Sequence, residues 1–385
     1  MKRTETYEEI APLIEMCKTG KLFEVQRLIA DGKPVNPPDE KPKRRKTPLQ
    51  IALDTGFHSL VQLLLESGAI IEEAGYNPLR DVLWKRRFDL VQLLVEHGVP
   101  IDSVDMGTVF ETWDPRIITY FIERGGDLEK DNPLAEALCY RIRTALGIFK
   151  RYEHQIPSLH DQVNIALRHH CMEGNLKWVS LMLWAGADPY ARGPYPPYNN
   201  DLEDYESALE IAAYYGHTDI FKLKNIKLDP AKEGADDLLR KCCFGCNADL
   251  LKILLENGYD PKEMEDKGSS LIQSIVYSMA GRYYCSICVR DGDATATSHA
   301  REKIKMIHMI VRHGAQWMPE GEEEISHARR SFLKAADDYV MEFIWIMAEY
   351  QACTRNTMET LLRTPSIRSL LSKHSRRLSE LMDSF

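Results

Sequence analysis

The sequence predicts an all-α protein built from stacked helix-turn-helix units, with a helical segment closing the C-terminal end. Apolar residues recur at helical spacing in short runs, for example at 60–65 and 90–95. A glycine closes each of these two runs, at Gly68 and Gly98. The same pattern returns at intervals of about thirty residues, which is the mark of a repeat architecture. Because one such unit cannot bury its own apolar face, the units must stack on their neighbours.

The individual units support this interpretation from the N-terminal end onward. Residues 10–35 predict a divergent capping unit, and the next unit opens with TPLQIA at 47–52. Thr suits the N-cap of a helix and Pro suits its first turn, so a first helix is expected to begin there. NPL at 77–79 and SALEIAA at 207–213 repeat this opening. The second helix of the unit recurs as LVQLLLESGA at 60–69, LVQLLVEHGV at 90–99, WVSLMLWAGADP at 178–189 and LLKILLENGYDP at 250–261.

These openings and spacings resemble the ankyrin repeat family over roughly residues 8–320. The resemblance implies an ankyrin-type solenoid with protein binding through its fingertip turns and the concave face of its first helices. Units near 105–131 and 133–162 are degenerate, and insertions are expected at 190–206 and 282–299. We therefore predict three parts: a capping repeat with a basic fingertip at 1–46, a repeat array at 47–321 and a helical C-terminal cap at 322–385.

Composition narrows the class of protein. The 385 residues carry a formal net charge of −9 and 44% hydrophobic residues, which excludes global disorder and disfavours non-specific nucleic-acid binding. Nine cysteines, with no signal-peptide pattern at the N-terminus, predict reduced thiols and a cytoplasmic protein. The phosphate-loop, zinc-protease and serine-hydrolase motifs are absent from the sequence. We therefore expect no enzyme activity, no cofactor and no small-molecule substrate, and a protein partner that the sequence does not identify.

The candidate binding residues follow from the resemblance, position by position. In ankyrin repeats, the two residues before the glycine between the helices face outward on the concave side. These pairs lie at 54–55, 84–85, 139–140, 172–173, 214–215 and 244–245. They are rich in aromatic residues, which dominate protein interfaces. The predicted partner-binding residues among them are Trp84, Lys85, Tyr140, Met172, Tyr214, Tyr215 and Phe244. The alternative is that neighbouring repeats or the cap partly bury these rings.

Two charged segments offer further binding sites. Tyr195 and Tyr198 lie in a proline-rich loop that is followed by acidic residues at 201–206. An aromatic loop beside carboxylates suits a basic peptide partner; the alternative is a loop that packs on its own repeat. Residues 41–46 are basic, and their candidate binding residues are Lys43, Arg44, Arg45 and Lys46. This basic fingertip is interpreted as a nuclear localisation signal, a site for an acidic or phosphate-bearing partner, or a solvated turn. Nucleic-acid binding through it is a further alternative.

Cysteine and histidine spacings raise a metal alternative. Cys242 and Cys243 fall at packed repeat positions, and the zinc-finger-like pair His308 and His313 also falls at ordinary repeat positions. Cys285 and Cys288 lie in the 282–299 insertion, so that pair is the alternative site for a metal or a redox-sensitive thiol pair. We predict no metal. His169 and His170 are adjacent, and His170 falls at a position that is usually alanine, which favours a packed histidine over a metal ligand.

Overall fold

A computed structural model describes residues 2–38, 45–71, 76–193, 205–262, 271–278, 296–319, 321–333 and 337–385. The chain divides into two compact units, residues 1–162 (unit 1) and 163–385 (unit 2). The described residues are helical, and two isolated β-bridges, Arg3 with Asn36 and Gly193 with Glu206, are the only extended pairings among them. The predicted all-α fold is confirmed. No helix in the described part of the chain has both the length and the apolar character needed to cross a membrane.

The described residues of unit 1 before Leu159 form five helix pairs. Its helices are α1 (Tyr7–Thr19), α2 (Leu22–Ala30), α3 (Pro48–Thr55), α4 (His58–Glu66), α5 (Pro78–Trp84), α6 (Phe88–Glu96), α7 (Met106–Phe110), α8 (Pro115–Glu123), α9 (Pro133–Cys139) and α10 (Arg143–Tyr152). The first helix of each pair packs on the first helix of the next, and the second helices pack on one another in the same way. The pairs therefore form two layers, with the apolar runs of α4 and α6 buried between their neighbours.

The helix starts have local causes in two of these pairs. Thr47 forms a capping box with Gln50: its hydroxyl accepts from the Gln50 backbone N–H at 3.1 Å, and its own N–H donates to the Gln50 side chain at 3.0 Å. Asn77 caps α5 by accepting from two backbone N–H groups. The openings at 47–52 and 77–79 therefore act as the sequence predicts.

In the degenerate unit at 133–162, the start of α9 is capped by a residue from a later helix. Asn132 has left-handed backbone geometry, and its side chain does not cap α9. Instead, the buried Gln162 side chain accepts from the backbone N–H groups of Leu134 and Ala135 at 2.9 and 3.2 Å, and donates to the Leu128 carbonyl at 2.5 Å. The single side chain of Gln162, from a later helix, therefore replaces the missing local cap.

The division between the units falls inside α11 (Leu159–Glu173). The further helices of unit 2 are α12 (Leu176–Ala185), α13 (Ala208–Tyr214), α14 (Ala235–Phe244), α15 (Ala248–Glu256), α16 (Leu271–Ser278), α17 (Ala296–Arg312), α18 (Gly321–Phe332), α19 (Asp337–Glu349), α20 (Arg355–Leu362), α21 (Pro365–Leu370) and α22 (Ser375–Met382). A short 3₁₀ helix at Thr218–Lys222 stands where the second helix of its pair is expected. Most of the 282–299 insertion lies outside the described residues.

The stacking continues past residue 321. Helix α18 packs on α16, and α19 packs on α17, as first and second helices of a further pair. Trp317 is fully buried at this junction, donates from its indole N–H to Gln273 at 2.7 Å and meets the ring of Phe343 edge-on at 5.2 Å. Within the apolar set 343–347, only Trp345 is half-exposed. The C-terminal helices therefore bury their apolar residues against the end of the array.

Candidate interaction surfaces

The turn between the two helices of each pair repeats one backbone feature. Its central residue has a positive φ of 50–75° in eight successive pairs: Gly20, Gly56, Arg86, Trp113, Arg141, Gly174, Gly216 and Cys246. Each of the six predicted binding pairs lies directly before one of these residues, so the predicted register matches the turns. The turn at Trp113 lies in the degenerate unit, for which the sequence analysis assigned no pair.

Exposed aromatic rings mark all five of these turns in unit 1. Trp84 and Trp113 are 68% and 56% exposed, and Tyr140 is 57% exposed. Phe57, the N-cap residue of α4, is 52% exposed, and Phe23, in α2, is 83% exposed. We call these five residues the aromatic turn edge. Since large apolar side chains seldom cluster at the surface of a monomer, this row is the most prominent exposed apolar feature of unit 1.

Side-chain contacts link the first four turns of unit 1. A Cβ on Gly20 would lie 3.1 Å from the ring of Phe57, so the first two turns touch. Arg87 donates to the carbonyl oxygen of Gly56 at 2.8 Å. The guanidinium of Arg86 lies 5.4 Å above the ring of Trp113. Each turn therefore contacts the next through one side chain.

Charges along this edge are largely compensated within unit 1. The ammonium groups of Lys46 and Lys85 contact the two oxygens of Asp54 at 2.5 and 3.0 Å. Partial burial alone would raise the pKa of Asp54, but these hydrogen bonds hold it below its ordinary value. Arg87 lies 2.6 Å from a carboxylate oxygen of Asp89 and lowers the pKa of that group. Lys85, a predicted binding residue, is therefore already ion-paired.

The predicted residues of unit 2 form a different arrangement. Tyr214 stacks on Phe244 at 5.8 Å and meets Tyr215 edge-on at 5.2 Å, so all three rings are half-buried. The Lys241 ammonium lies 5.7 Å from the ring of Tyr214. Met172 is half-buried, and its carbonyl accepts a hydrogen bond from Nε2 of His217 at 2.9 Å. These side chains support one another more than they project into solvent.

Cys139, at the end of α9, departs from the expected outward orientation. It is only 7% exposed, so the prediction that both members of its pair face outward is wrong for Cys139 and holds for Tyr140 alone. A buried thiol packs there as a small apolar side chain.

A charged cluster holds the base of the proline-rich loop. Arg192 donates to Glu210 at 2.7 Å and also contacts Asp237. Lys241 pairs with Glu206, next to the β-bridge between Gly193 and Glu206. Burial raises the pKa of Glu210, and the neighbouring Arg192 counteracts only part of that rise. Tyr195 and Tyr198 themselves lie outside the described residues.

The described end of the basic fingertip folds back onto α1. The Arg45 guanidinium lies 4.4 Å over the ring of Tyr7, whose hydroxyl donates to the carbonyl oxygen of Lys46 at 3.0 Å. Lys43 and Arg44 lie outside the described residues. The contacts of Arg45 and Lys46 therefore fix the point at which the fingertip joins its repeat.

The cysteines of α14 lie in the core. Cys242, Cys243 and Cys246 are buried, and burial raises the pKa of Cys243 to about 12, which suppresses the thiolate form that binds metals or reacts. His308 and His313 contact Tyr350 and the Met309 carbonyl instead, at 3.0 and 2.8 Å. The alternative site at Cys285 and Cys288 lies outside the described residues.

Sequence reasoning missed three members of the aromatic turn edge. Phe23 and Phe57 follow their turns, whereas the predicted binding positions are the two residues before each turn. Trp113 occupies the turn position itself, where a glycine is usual. The segment Asp114-Pro115, an N-cap followed by a first-turn proline, marks the start of α8 and would have placed this turn correctly.

Comparison with known proteins finds similarity to ankyrin repeat proteins. The crystal structure of the human ASB11 ankyrin repeat domain is similar to 60% of this chain and 97% of its own, at 18% identity and a TM-score of 0.39. The Caenorhabditis elegans ankyrin repeat and KH domain-containing protein mask-1 is 26% identical over 288 residues, which are 70% of this chain and 10% of that relative's length. Residues 13–105 match the family model described as ankyrin repeats in three copies.

Ankyrin repeats generally mediate protein–protein interaction. The matched segment covers the first three helix pairs, and the same turn geometry recurs in later pairs of both units. Residues 13–105 of the chain are therefore assigned as ankyrin repeats.

Proposed function

We propose that this chain is a non-enzymatic interaction module, acting as a scaffold, adaptor or inhibitor, that binds a protein partner along the aromatic turn edge of unit 1. The observation that carries the proposal is the exposure of one aromatic ring at each of five successive turns. Trp and Tyr contribute large contact areas at low entropic cost, and they are enriched at interface hot spots. A row of such rings on packed helix pairs suits a preformed binding surface.

The rigidity of the edge supports the same conclusion. Trp84 ends α5, and Trp113 is held at a fixed turn between α7 and α8. The guanidinium of Arg86 over the Trp113 ring further restricts that side chain. A partner that docks here therefore orders few side chains of this chain on binding, which limits the entropic cost of association.

Charge favours a partner with acidic groups near its apolar contacts. Lys85 and Arg87 are paired with Asp54 and Asp89, but the described contacts of Arg86 are with an aromatic ring and not with a carboxylate. A partner carboxylate beside Trp113 would meet the charge of Arg86 and speed the encounter. In this proposal Tyr140 extends the contact to the next turn. The rings at Tyr214, Tyr215 and Phe244, and the loop bearing Tyr195 and Tyr198, belong to a secondary contact.

The test compares a double tryptophan variant of unit 1 with a single tryptophan variant of unit 2. The chain is used to capture partners from native lysate, and the affinity of the purified partner is then measured for wild type, for Trp84→Ala/Trp113→Ala and for Trp184→Ala. Trp184, on α12 of unit 2, is 62% exposed and serves as the matched control. Each hot-spot ring contributes on the order of 2 kcal/mol, which corresponds to about thirtyfold in affinity. Loss of both rings should therefore weaken binding by at least that factor.

The result expected is a partner lost from the double variant and retained by Trp184→Ala, with unchanged melting temperatures for both. Equal affinity of wild type and the double variant would rule out the aromatic turn edge. Equal loss in Trp184→Ala would show a general surface effect. A Tyr214→Ala/Tyr215→Ala variant separates the secondary contact, because it leaves unit 1 intact.

A further inference from the structure

Three potential metal ligands come together at the C-terminal end of α11. His169 Nε2 lies 3.6 Å from one oxygen of Glu173, and His170 Nδ1 lies 3.4 Å from the other. One donor atom from each of the three residues falls within 4.8 Å of the other two. They occupy positions i, i+1 and i+4 of one helix. The side chains of adjacent helix residues ordinarily point in different directions, but both histidine rings here approach the Glu173 carboxylate.

The spacing of these atoms matches a tetrahedral metal site. Zinc binds imidazole nitrogen and carboxylate oxygen at roughly 2.0–2.2 Å, so two ligands of a tetrahedral ion lie roughly 3.3–3.5 Å apart. The two histidine–carboxylate distances, 3.4 and 3.6 Å, run to different oxygens of Glu173 and fall at this value or close to it, and the donor atoms of the two histidines lie within 4.8 Å of each other. Two nitrogen ligands and one oxygen ligand form a set that suits Zn²⁺ and related divalent transition metals.

The surrounding packing fixes one ligand and leaves another accessible. The His170 side chain is fully buried and stacks on Trp178, with ring centroids 5.3 Å apart and an interplanar angle of 29°. The Glu173 side chain is 32% exposed and the His169 side chain 18%, so an ion could enter from solvent on their side. Packing thus fixes His170 before a metal binds, while His169 and Glu173 stay accessible to an incoming ion.

We propose that His169, His170 and Glu173 bind one divalent transition metal ion of the zinc class, with a fourth position open to water or to another ligand. The ion would hold the last turn of α11 in place, directly before the turn at Gly174. Binding requires neutral imidazoles, so affinity falls as the histidines become protonated. The site is independent of the aromatic turn edge, which belongs to unit 1.

A second cluster, Asp337, Asp338 and His374, provides a comparison within the same unit. His374 Nε2 lies 3.3 Å from Asp337 and 3.6 Å from Asp338, but the Asp338 side chain is 85% exposed. With one imidazole and two carboxylates it is a harder and more hydrated ligand set than the α11 site. Zinc should therefore prefer the α11 site.

The experiment adds Zn²⁺ alone to the full-length chain after chelator treatment and dialysis, and measures stoichiometry and affinity by calorimetry and metal analysis. The test variants are Glu173→Gln, which keeps the side-chain volume, and His169→Ala. The matched control is His154→Ala, because His154 is an exposed histidine that lies 3.8 Å from Glu153 but belongs to no group of three potential ligands among the described residues. His374→Ala and Cys285→Ser/Cys288→Ser remove the two competing sites.

We expect one equivalent of zinc in the wild type, at least a tenfold loss of affinity in Glu173→Gln and His169→Ala, and unchanged affinity in the three controls. Cobalt substituted for zinc should give the strong visible absorption of a tetrahedral site in the wild type, and this signal should vanish in Glu173→Gln. Zinc should raise the melting temperature of the wild type but not of Glu173→Gln. A wild type that binds no zinc, a Glu173→Gln variant with wild-type affinity, or loss in a control equal to that in Glu173→Gln would overturn the proposal.

Discussion

Replacing Gln162 with leucine should destabilise unit 1 through three lost hydrogen bonds. The side chain is 1% exposed and joins the start of α9 to the segment before it, by two bonds to the N–H groups of Leu134 and Ala135 and one to the Leu128 carbonyl. Leucine keeps similar volume but leaves all three groups without that partner. An unsatisfied buried group costs about 1–3 kcal/mol, and neighbouring losses are not fully additive, so we expect a loss of roughly 2–5 kcal/mol.

The assay is urea unfolding followed by circular dichroism, with hydrogen exchange to locate the effect. Asp161→Asn is the matched control, because Asp161 is the exposed neighbour of Gln162 and should change stability by no more than about 0.5 kcal/mol. Stability in repeat arrays is nearly one-dimensional, so faster exchange should be confined to 128–139 and adjoining helices, leaving α3 and α4 protected. A Gln162→Leu variant as stable as Asp161→Asn would refute the capping role, and uniform loss of protection would refute its local character.

Three further changes test the fold. Thr47→Ala removes one half of a capping box and should cost roughly 1 kcal/mol in urea unfolding. Gly245→Ala should cost roughly 1–3 kcal/mol, because a Cβ would lie 2.7 and 2.8 Å from two carbonyl oxygens of α13, whereas Gly147→Ala in α10 meets no atom within 4 Å and should stabilise by about 0.5–1 kcal/mol. The Arg116 guanidinium holds the pKa of Asp114 below its ordinary value, so the stability that Asp114 contributes is present above that value and is lost as pH falls through the lowered pKa. The gap between wild type and Asp114→Asn, measured in urea from pH 6 to 2, should therefore shrink toward acid.

The fold could be predicted because its causes are local. Apolar runs such as 60–65 and closing glycines such as Gly68 fix where second helices lie and end. The turn register followed from the same spacing, even where Arg86 and Cys246 replace the usual glycine. A helix cap or a turn depends on residues within four positions of one another, which a single sequence displays directly.

Whether each candidate aromatic ring is exposed or half-buried could not be predicted from the sequence, because it depends on residues far along the chain. Tyr214 is half-buried since Phe244, in the next repeat, stacks on it, whereas Trp84 meets no comparable cover and stays exposed. Similarly, Gln162 caps a helix that begins nearly thirty residues earlier, and no local pattern marks it. Periodicity shows which residues reach a turn, but packing between repeats decides which of them face solvent.

The turn position itself links stability to the proposed surface. Glycine adopts a positive φ without penalty, whereas other residues are disfavoured there by roughly 1–2 kcal/mol. Arg86, Trp113 and Arg141 all hold this geometry in unit 1, and all three side chains are exposed. The presence of these residues in place of glycine does not improve the packing of the core, because their side chains lie at the surface. At two of these positions the exposed side chains contact each other, with the Arg86 guanidinium above the ring of Trp113, so backbone strain at these turns coincides with the aromatic turn edge.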